Sequence, residues 1–220
     1  MAGARPRTAA HTHGALAAGP AVAVPSPTGH GDRLYRLSMT TKYAALLRGI
    51  NVGGSRKVPM AQLRSLLGDL GHGDVATYLQ SGNAVFSSAD TDEDVLADGI
   101  EAAVEKAFGF RVDTLVRSGP YLRAVADACP FPAASLEGKQ LHVTFLSETV
   151  APRRLASIDT AAHLPEEFRL GDRALYLYAP DGLGRSKLAA ALSRPGLLKG
   201  VVATSRNWNT VVKLVEMTRD

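Results

Sequence analysis

The chain holds a single cysteine, Cys129, in 220 residues, which excludes an internal disulfide and fits a reducing compartment. No stretch approaches the ~20 consecutive apolar residues that a membrane span needs. The most apolar run of the first forty residues, Ala15 to Val24, is interrupted by Gly19 and Pro20 and so fails as a signal-peptide core. No twin arginine is present either, and a cytoplasmic protein is the expectation. Aromatic residues are scarce, with one tryptophan, Trp208, and no RNP-type aromatic signature of an RNA-binding sheet occurs.

Catalytic signatures are missing as well. Gly49-Ile-Asn-Val-Gly-Gly-Ser55 looks like a phosphate loop, but no Lys-Ser/Thr pair follows the glycines, so it is no Walker A motif. There is no G-x-G-x-x-G after a strand and no G-x-S-x-G elbow. Beyond the first forty residues the histidines are His72, His142 and His163, without C-x-x-C or H-E-x-x-H spacing, which argues against zinc. His11, His13 and His30 are too scattered for a metal tract. No cofactor and no metal are expected.

The net charge of +4 invites a nucleic-acid reading, but its distribution does not support one. Arg5, Arg7, Arg33 and Arg36 face only Asp32 in residues 1–40, whereas residues 41–220 hold 21 basic and 20 acidic side chains. A nearly neutral body has no broad phosphate-tracking surface. Residues 1–40, rich in Ala, Gly, Pro, Thr and His, read as a disordered leader. Alternatively, translation starts at Met39.

What is present is an alternation of short apolar strands and amphipathic helices. Tyr43 to Ile50 reads as a buried strand. Pro59 opens a helix with Met60, Leu63, Leu66, Leu67 and Leu70 on one face, stopped by Gly71. Asp74 to Gln80 and Asn83 to Ser88 form a hairpin about Ser81-Gly82. Thr91, with Asp94 three residues on, is the expected cap of a helix carrying Leu96, Ile100 and Val104 inward, and Arg111 to Ser118 is a strand. A connecting helix, Tyr121 to Ala128, stops at Pro130. The order then recurs: strand Lys139 to Ser147, helix Pro152 to Ala162, hairpin Glu166 to Ala179, helix Ser186 to Ser193, strand Val201 to Ser205 and a closing helix Asn209 to Met217. No residue-level identity links the halves, so the duplication is architectural. The predicted fold is α+β, two ferredoxin-like βαββαβ units with antiparallel sheets. The boundaries are 1–40 for the leader, 41–118 for the first unit, 119–138 for the connecting helix and linker, and 139–220 for the second unit.

In such a unit the loop after the first strand and the second-to-third-strand hairpin share one rim of the sheet. The first rim then collects Arg48, Asn51, Gly53, Gly54, Ser55, Lys57, Gln80, Ser81 and Asn83, and the second Gly184, Arg185, Ser186, Lys187, Ser205, Arg206, Asn207, Trp208 and Asn209. Glycines free backbone N–H groups, and both rims lead into helix N-termini, where an anion is favoured. Arg185 and Arg206 are expected as a two-pronged grip on a carboxylate or phosphate, with Trp208 as a stacking face. Neither rim holds an acid, which favours gripping an anion over acid–base chemistry. Each residue also has a structural reading: glycines as turns, Asn51, Asn83 and Asn207 as caps, Trp208 as a core anchor, and Arg48 and Arg206 as ion-pair partners.

Tyr43-Ala-Ala-Leu-Leu-Arg-Gly-Ile-Asn-Val-Gly-Gly54, Tyr78-Leu-Gln-Ser-Gly-Asn-Ala-Val-Phe86, Gly184-Arg-Ser-Lys187 and Ala203-Thr-Ser-Arg-Asn-Trp-Asn-Thr210 followed by Lys213-Leu214 closely resemble domain-of-unknown-function family 1697. The resemblance spans about Lys42 to Met217 and omits the leader. It implies a small bacterial cytoplasmic protein and supplies no activity, substrate or cofactor. Three functions are weighed. The first is binding of an anionic small ligand, phosphorylated or carboxylated, such as a nucleotide. The second is a structural role in which the motifs dock the two halves. The third is a nucleic-acid-binding module using Tyr78, Phe86, Tyr176 and Tyr178. Whether the chain is an enzyme, and its oligomeric state, are left open by the residues.

Overall fold

The computed structural model describes residues 40–54 and 56–219. Residues 1–39, on which the leader's expected disorder and the start at Met39 fall, lie outside the described residues, as do Ser55 and Asp220. Strand β1 (Thr41–Leu47) leads through a loop to α1 (Met60–Asp69), then β2 (Gly73–Tyr78), β3 (Asn83–Ser88), α2 (Glu93–Phe108) and β4 (Thr114–Ser118). Helix α3 (Gly119–Asp127) connects to β5 (Leu141–Leu146), β6 (Glu167–Gly171), β7 (Ala174–Tyr178), α4 (Lys187–Leu192), β8 (Ala203–Asn207) and α5 (Trp208–Met217). The fold is α+β, with two four-stranded antiparallel sheets in the orders β2-β3-β1-β4 and β6-β7-β5-β8. No described helix is long and apolar enough to cross a membrane.

Strand alternation places three cores. On one face of the first sheet Tyr43, Ala45 and Leu47 pack with Leu63, Leu67, Ile100 and Val104 of α1 and α2. On its other face Ala44, Leu46, Val85 and Leu115 meet Val143, Phe145, Ala174 and Tyr176 of the second sheet, with Leu122 of α3 and Val211 and Leu214 of α5 in the same cluster. The far face of the second sheet, Leu146, Leu175 and Leu177, is covered by Leu188 and Leu192 of α4. The two units therefore share their central core. The Tyr176 hydroxyl, whose pKa burial pushes up to about 12, donates to Val125 O at 2.7 Å and ties β7 to α3.

Two expectations are corrected. Helix α2 is capped by Asp92 rather than Thr91; the Asp92 carboxylate accepts from the N–H groups of Asp94 and Val95. The helix expected over Pro152 to Ala162 is two short 3-10 turns, Pro152–Leu155 and Ala161–His163. Ser157, Asp159 and Thr160 are weak helix formers, and the Asp159 side chain accepts from Ala161 N and Ala162 N, holding a turn instead.

Candidate functional site

Strand registers align the two units residue by residue. Ala44 pairs with Arg117 in β4, and Val143 pairs with Arg206 in β8. Leu47 and Leu146 are likewise equivalent, their N–H groups donating to Gly82 O and Arg173 O at 2.8 and 2.9 Å. Arg117 and Arg206 thus hold one position in two copies of the unit, each just before the residue that starts a helix. This identity was missed in the sequence. The spacing from arginine to helix start, Arg117-Ser118 and Arg206-Asn207, is the signal that marks it.

Both arginines are buried and point into the seam between the sheets. Arg206 Nη2 donates to Leu47 O at 3.0 Å, and Arg117 Nη2 donates to Leu146 O at 2.5 Å. Each guanidinium reaches the equivalent carbonyl of the other unit, so the contact is reciprocal. Arg206 also donates to Asn83 Oδ1 (2.5 Å), Thr204 Oγ1 (2.7 Å), Ser205 O (2.8 Å) and Gly82 O (3.3 Å). Every acceptor is neutral, and burial pushes its pKa down to about 10. The Asn83 amide is spent on Tyr78 O and Ser81 Oγ.

The expected grip by Arg185 and Arg206 is not assembled. Arg185 is exposed in the 3-10 turn Leu183–Arg185, while Arg206 points inward with its donors engaged. Trp208 is part-buried against the central core. Asn207 caps α5, accepting from Thr210 N at 2.9 Å, and the Asn209 side chain lies where a Cβ on Gly138 would be. The N-terminal end of α4 already holds an anion of the chain itself: Glu166 Oε2 accepts from Leu188 N (2.7 Å) and from Ser186 Oγ (3.1 Å). Lys187 is exposed beside it.

On the first rim, Asn51 acts as a staple at φ 55°. Its side chain accepts from Val58 N and donates to Val58 O and Gln80 O, fastening the Gly53-Gly54 loop to the hairpin. Gly82 has no room for a side chain, since a Cβ would sit 2.9 Å from Ile50. Gly53, Gly54, Lys57, Gln80 and Ser81 are exposed. Of the aromatics considered for base stacking, Phe86 and Tyr176 are buried, and Tyr178 packs on Phe131.

One cavity, about 690 Å³, does bring the two units together. It lies between the far face of the second sheet and α4, floored by Leu175, Leu177, Leu192 and Leu198. Because strands alternate, Ser205 faces this cavity while its neighbour Arg206 faces the seam. Arg48 of the first unit reaches its lip, as do Arg194 and Lys199 of the loop after α4, and Gly184 and Ser186 also line it. Of the residues expected at the two rims, Arg48, Gly184 and Ser186 thus meet here. Ser205, also expected at the second rim, lines it too, and Thr144, Arg194 and Lys199 join them without having been expected. Arg48 is half-exposed and pairs with Asp113 at 3.1 Å. Arg194 and Lys199 have no carboxylate partner among the described residues. No acid lines the cavity.

A family model described as "Protein of unknown function (DUF1697)" matches residues 39–176. Among solved structures, the conserved bacterial protein SP0830 from Streptococcus pneumoniae is similar, with a TM-score of 0.64 and 26% sequence identity. The match covers 82% of this chain and 99% of that one. No curated protein matches the chain.

Proposed function

The chain belongs to the family described as protein of unknown function DUF1697, and on that premise we propose that it binds a small carboxylated or phosphorylated ligand in the cavity beneath α4. The observation that carries this reading is the lip of three cations, Arg48, Arg194 and Lys199, over a cavity lined by no acid. A concave site bordered by one sign of charge concentrates its counter-ion, and its volume falls within the roughly 300–1,000 Å³ of small-molecule sites. Nothing in the lining is arranged as an acid–base pair, so binding rather than catalysis is the function proposed. We read the first unit as ferredoxin-like from its βαββαβ order and the second as the same arrangement with 3-10 turns in place of its first helix, and the lone, part-buried Cys129 supports a reducing cytoplasm.

A second role is favoured by a separate observation. The reciprocal reach of Arg117 and Arg206 supports reading Arg206, Asn83 and Gly82 as the lock between the two units. The motif residues then divide, with Arg206 and Asn83 serving the lock and Arg48, Gly184 and Ser186 the cavity.

Thermal-shift screening and calorimetry with carboxylates and phosphates test the binding role. A ligand at 100 times its Kd should stabilise the fold by about 2.7 kcal/mol. No stabilisation by any such anion at millimolar concentration would sink the proposal.

A further inference from the structure

Resting on that anion-binding reading, we infer that the cavity takes an aliphatic acid, a carboxylate or phosphate monoester on an alkyl body, and not a nucleotide or sugar phosphate. Few polar groups of the cavity remain uncommitted. Four hydroxyls line the cavity, and each is already engaged. Thr144 Oγ1 and Ser205 Oγ are bonded to one another at 2.6 Å. Ser186 Oγ donates to Glu166 and accepts from Ala189 N. Ser193 Oγ donates to Ala189 O at 2.8 Å. No side-chain amide, carboxylate, imidazole or aromatic ring is among the lining residues.

A nucleobase is recognised by stacking on rings or guanidinium planes and by hydrogen bonds along its edges; the walls hold no ring and no uncommitted polar side chain, and only the cations at the lip could supply either contact. A sugar would exchange water for leucine walls, and a hydroxyl buried without a partner is penalised. The polar side chains without a carboxylate partner among the described residues are Arg194 and Lys199 at the lip, where Arg48 joins them. A fitting ligand therefore carries its charge at one end, at the lip, and an apolar body against Leu175, Leu177, Leu192 and Leu198. Arg48 can serve despite Asp113, because an exposed ion pair contributes little and gives way to a competing anion.

The chemistry predicts a dependence on chain length. Each buried methylene is worth about 0.8 kcal/mol, close to a fourfold gain in affinity. Calorimetry on the full chain with butanoate, hexanoate, octanoate and decanoate should show Kd falling about fourfold per added carbon until the cavity is full. Octyl phosphate distinguishes a phosphate head from a carboxylate, and octan-1-ol tests the need for charge. In Ala190→Trp, a change at an exposed lining position of α4, the length dependence should vanish. In Lys199→Glu, at the exposed lip, octanoate should weaken at least several-fold while the slope per carbon persists.

If AMP or ribose 5-phosphate binds and the alkyl series shows no slope, this inference is overturned and anion binding stands. If no anion binds, both readings fall. Equal affinity for octan-1-ol and octanoate would overturn the role of the cations. A slope that survives Ala190→Trp, with the fold intact by circular dichroism, would place the binding elsewhere on the surface and overturn the assignment to this cavity.

Discussion

The seam between the two sheets is closed by the same residue used twice, and the two copies solve the burial of a cation differently. Arg206 is surrounded by neutral oxygens alone, from Leu47, Gly82, Asn83, Thr204 and Ser205. Arg117 has a carboxylate, Glu93, at 3.3 Å, and shares it with Arg173 at 3.0 Å. Both of these guanidinium groups also lie over the Tyr121 ring, at 5.4 and 4.8 Å from its centre. The neutral arrangement puts the full desolvation cost on one arginine, whose pKa falls to about 10. It stays charged at neutral pH because many oriented acceptors replace its water. In the charged arrangement burial also lowers the Arg117 pKa, and the neighbouring Arg173 lowers it further, but Glu93 and Tyr121 act against both. Two units of similar strand order thus share the geometry of a docking contact while the chemistry around it differs.

The largest expected effect tests that difference directly. Arg206→Ala leaves several buried acceptors without a donor, at roughly 1–3 kcal/mol each, and opens a cavity. The total loss should be about 3–5 kcal/mol, the sum of a few such unpaired acceptors and the cavity. Arg117→Ala should cost less, about 2–3 kcal/mol, because Arg173 remains on Glu93 and Tyr121. Urea denaturation of both variants measures the order. A greater loss at Arg117 would break the account of how the two copies differ.

A middle-sized effect is expected at the turns beside the seam. Gly82 and Arg173 are equivalent, and both have positive φ, 82° and 45°. At Gly82 a Cβ would meet Ile50 at 2.9 Å and Leu47 at 3.0 Å. Gly82→Ala should therefore destabilise by about 1–3 kcal/mol, combining left-handed strain with overpacking. At the other turn a long side chain is tolerated and even used, since Arg173 pairs with Glu93. Thermal melting checks the prediction, and a neutral Gly82→Ala would remove the steric reason for glycine there.

A smaller difference concerns pH. Tyr43 and His142 are equivalent positions, paired with Ser118 and Asn207. Burial pushes the His142 pKa below its usual value. A histidine with a lowered folded pKa binds fewer protons than the unfolded chain, so its contribution is present above the unfolded value near 6.5 and lost as pH falls through the folded value. Stability should decline from pH 7 toward pH 5. His142→Gln should flatten that decline more than His72→Gln, because His72 is also lowered by burial but is less deeply placed. Melting curves across that range decide it, and an unchanged slope in His142→Gln would exclude the group.

Much of the fold was legible because period-two strands, caps and turns act locally. The order of thirteen elements could be followed from Tyr43 to Met217, and the one lost helix fell where Ser157, Asp159 and Thr160 favour turns. The site was less legible because a rim is a one-dimensional idea. Arg206 and Ser205 are neighbours in sequence yet serve opposite faces of a sheet, so a motif read as one unit splits into a buried lock and a cavity wall. Arg194 and Lys199 carry no motif, and only the packing of their loop against β8 and α4 brings them to Arg48. Arg117 stayed hidden because its partner Leu146 lies in the other unit, and no local pattern encodes such a contact.

The smallest expected effect on stability separates the lock from the cavity. Arg48 and Arg206 both stand in polar motifs, but Arg48 is half-exposed and its ion pair with Asp113 is solvated on both sides. Such a pair contributes about 0–1 kcal/mol, so Arg48→Ala should melt within a few degrees of the parent while Arg206→Ala melts far below it. Ligand affinity should respond in the opposite sense. Octanoate binding should weaken several-fold in Arg48→Ala, since a lip cation is lost and no core contact changes. A large drop in melting temperature for Arg48→Ala would assign it to the lock. An unchanged octanoate affinity would remove it from the cavity and leave Arg194 and Lys199 as the cations that hold the anion.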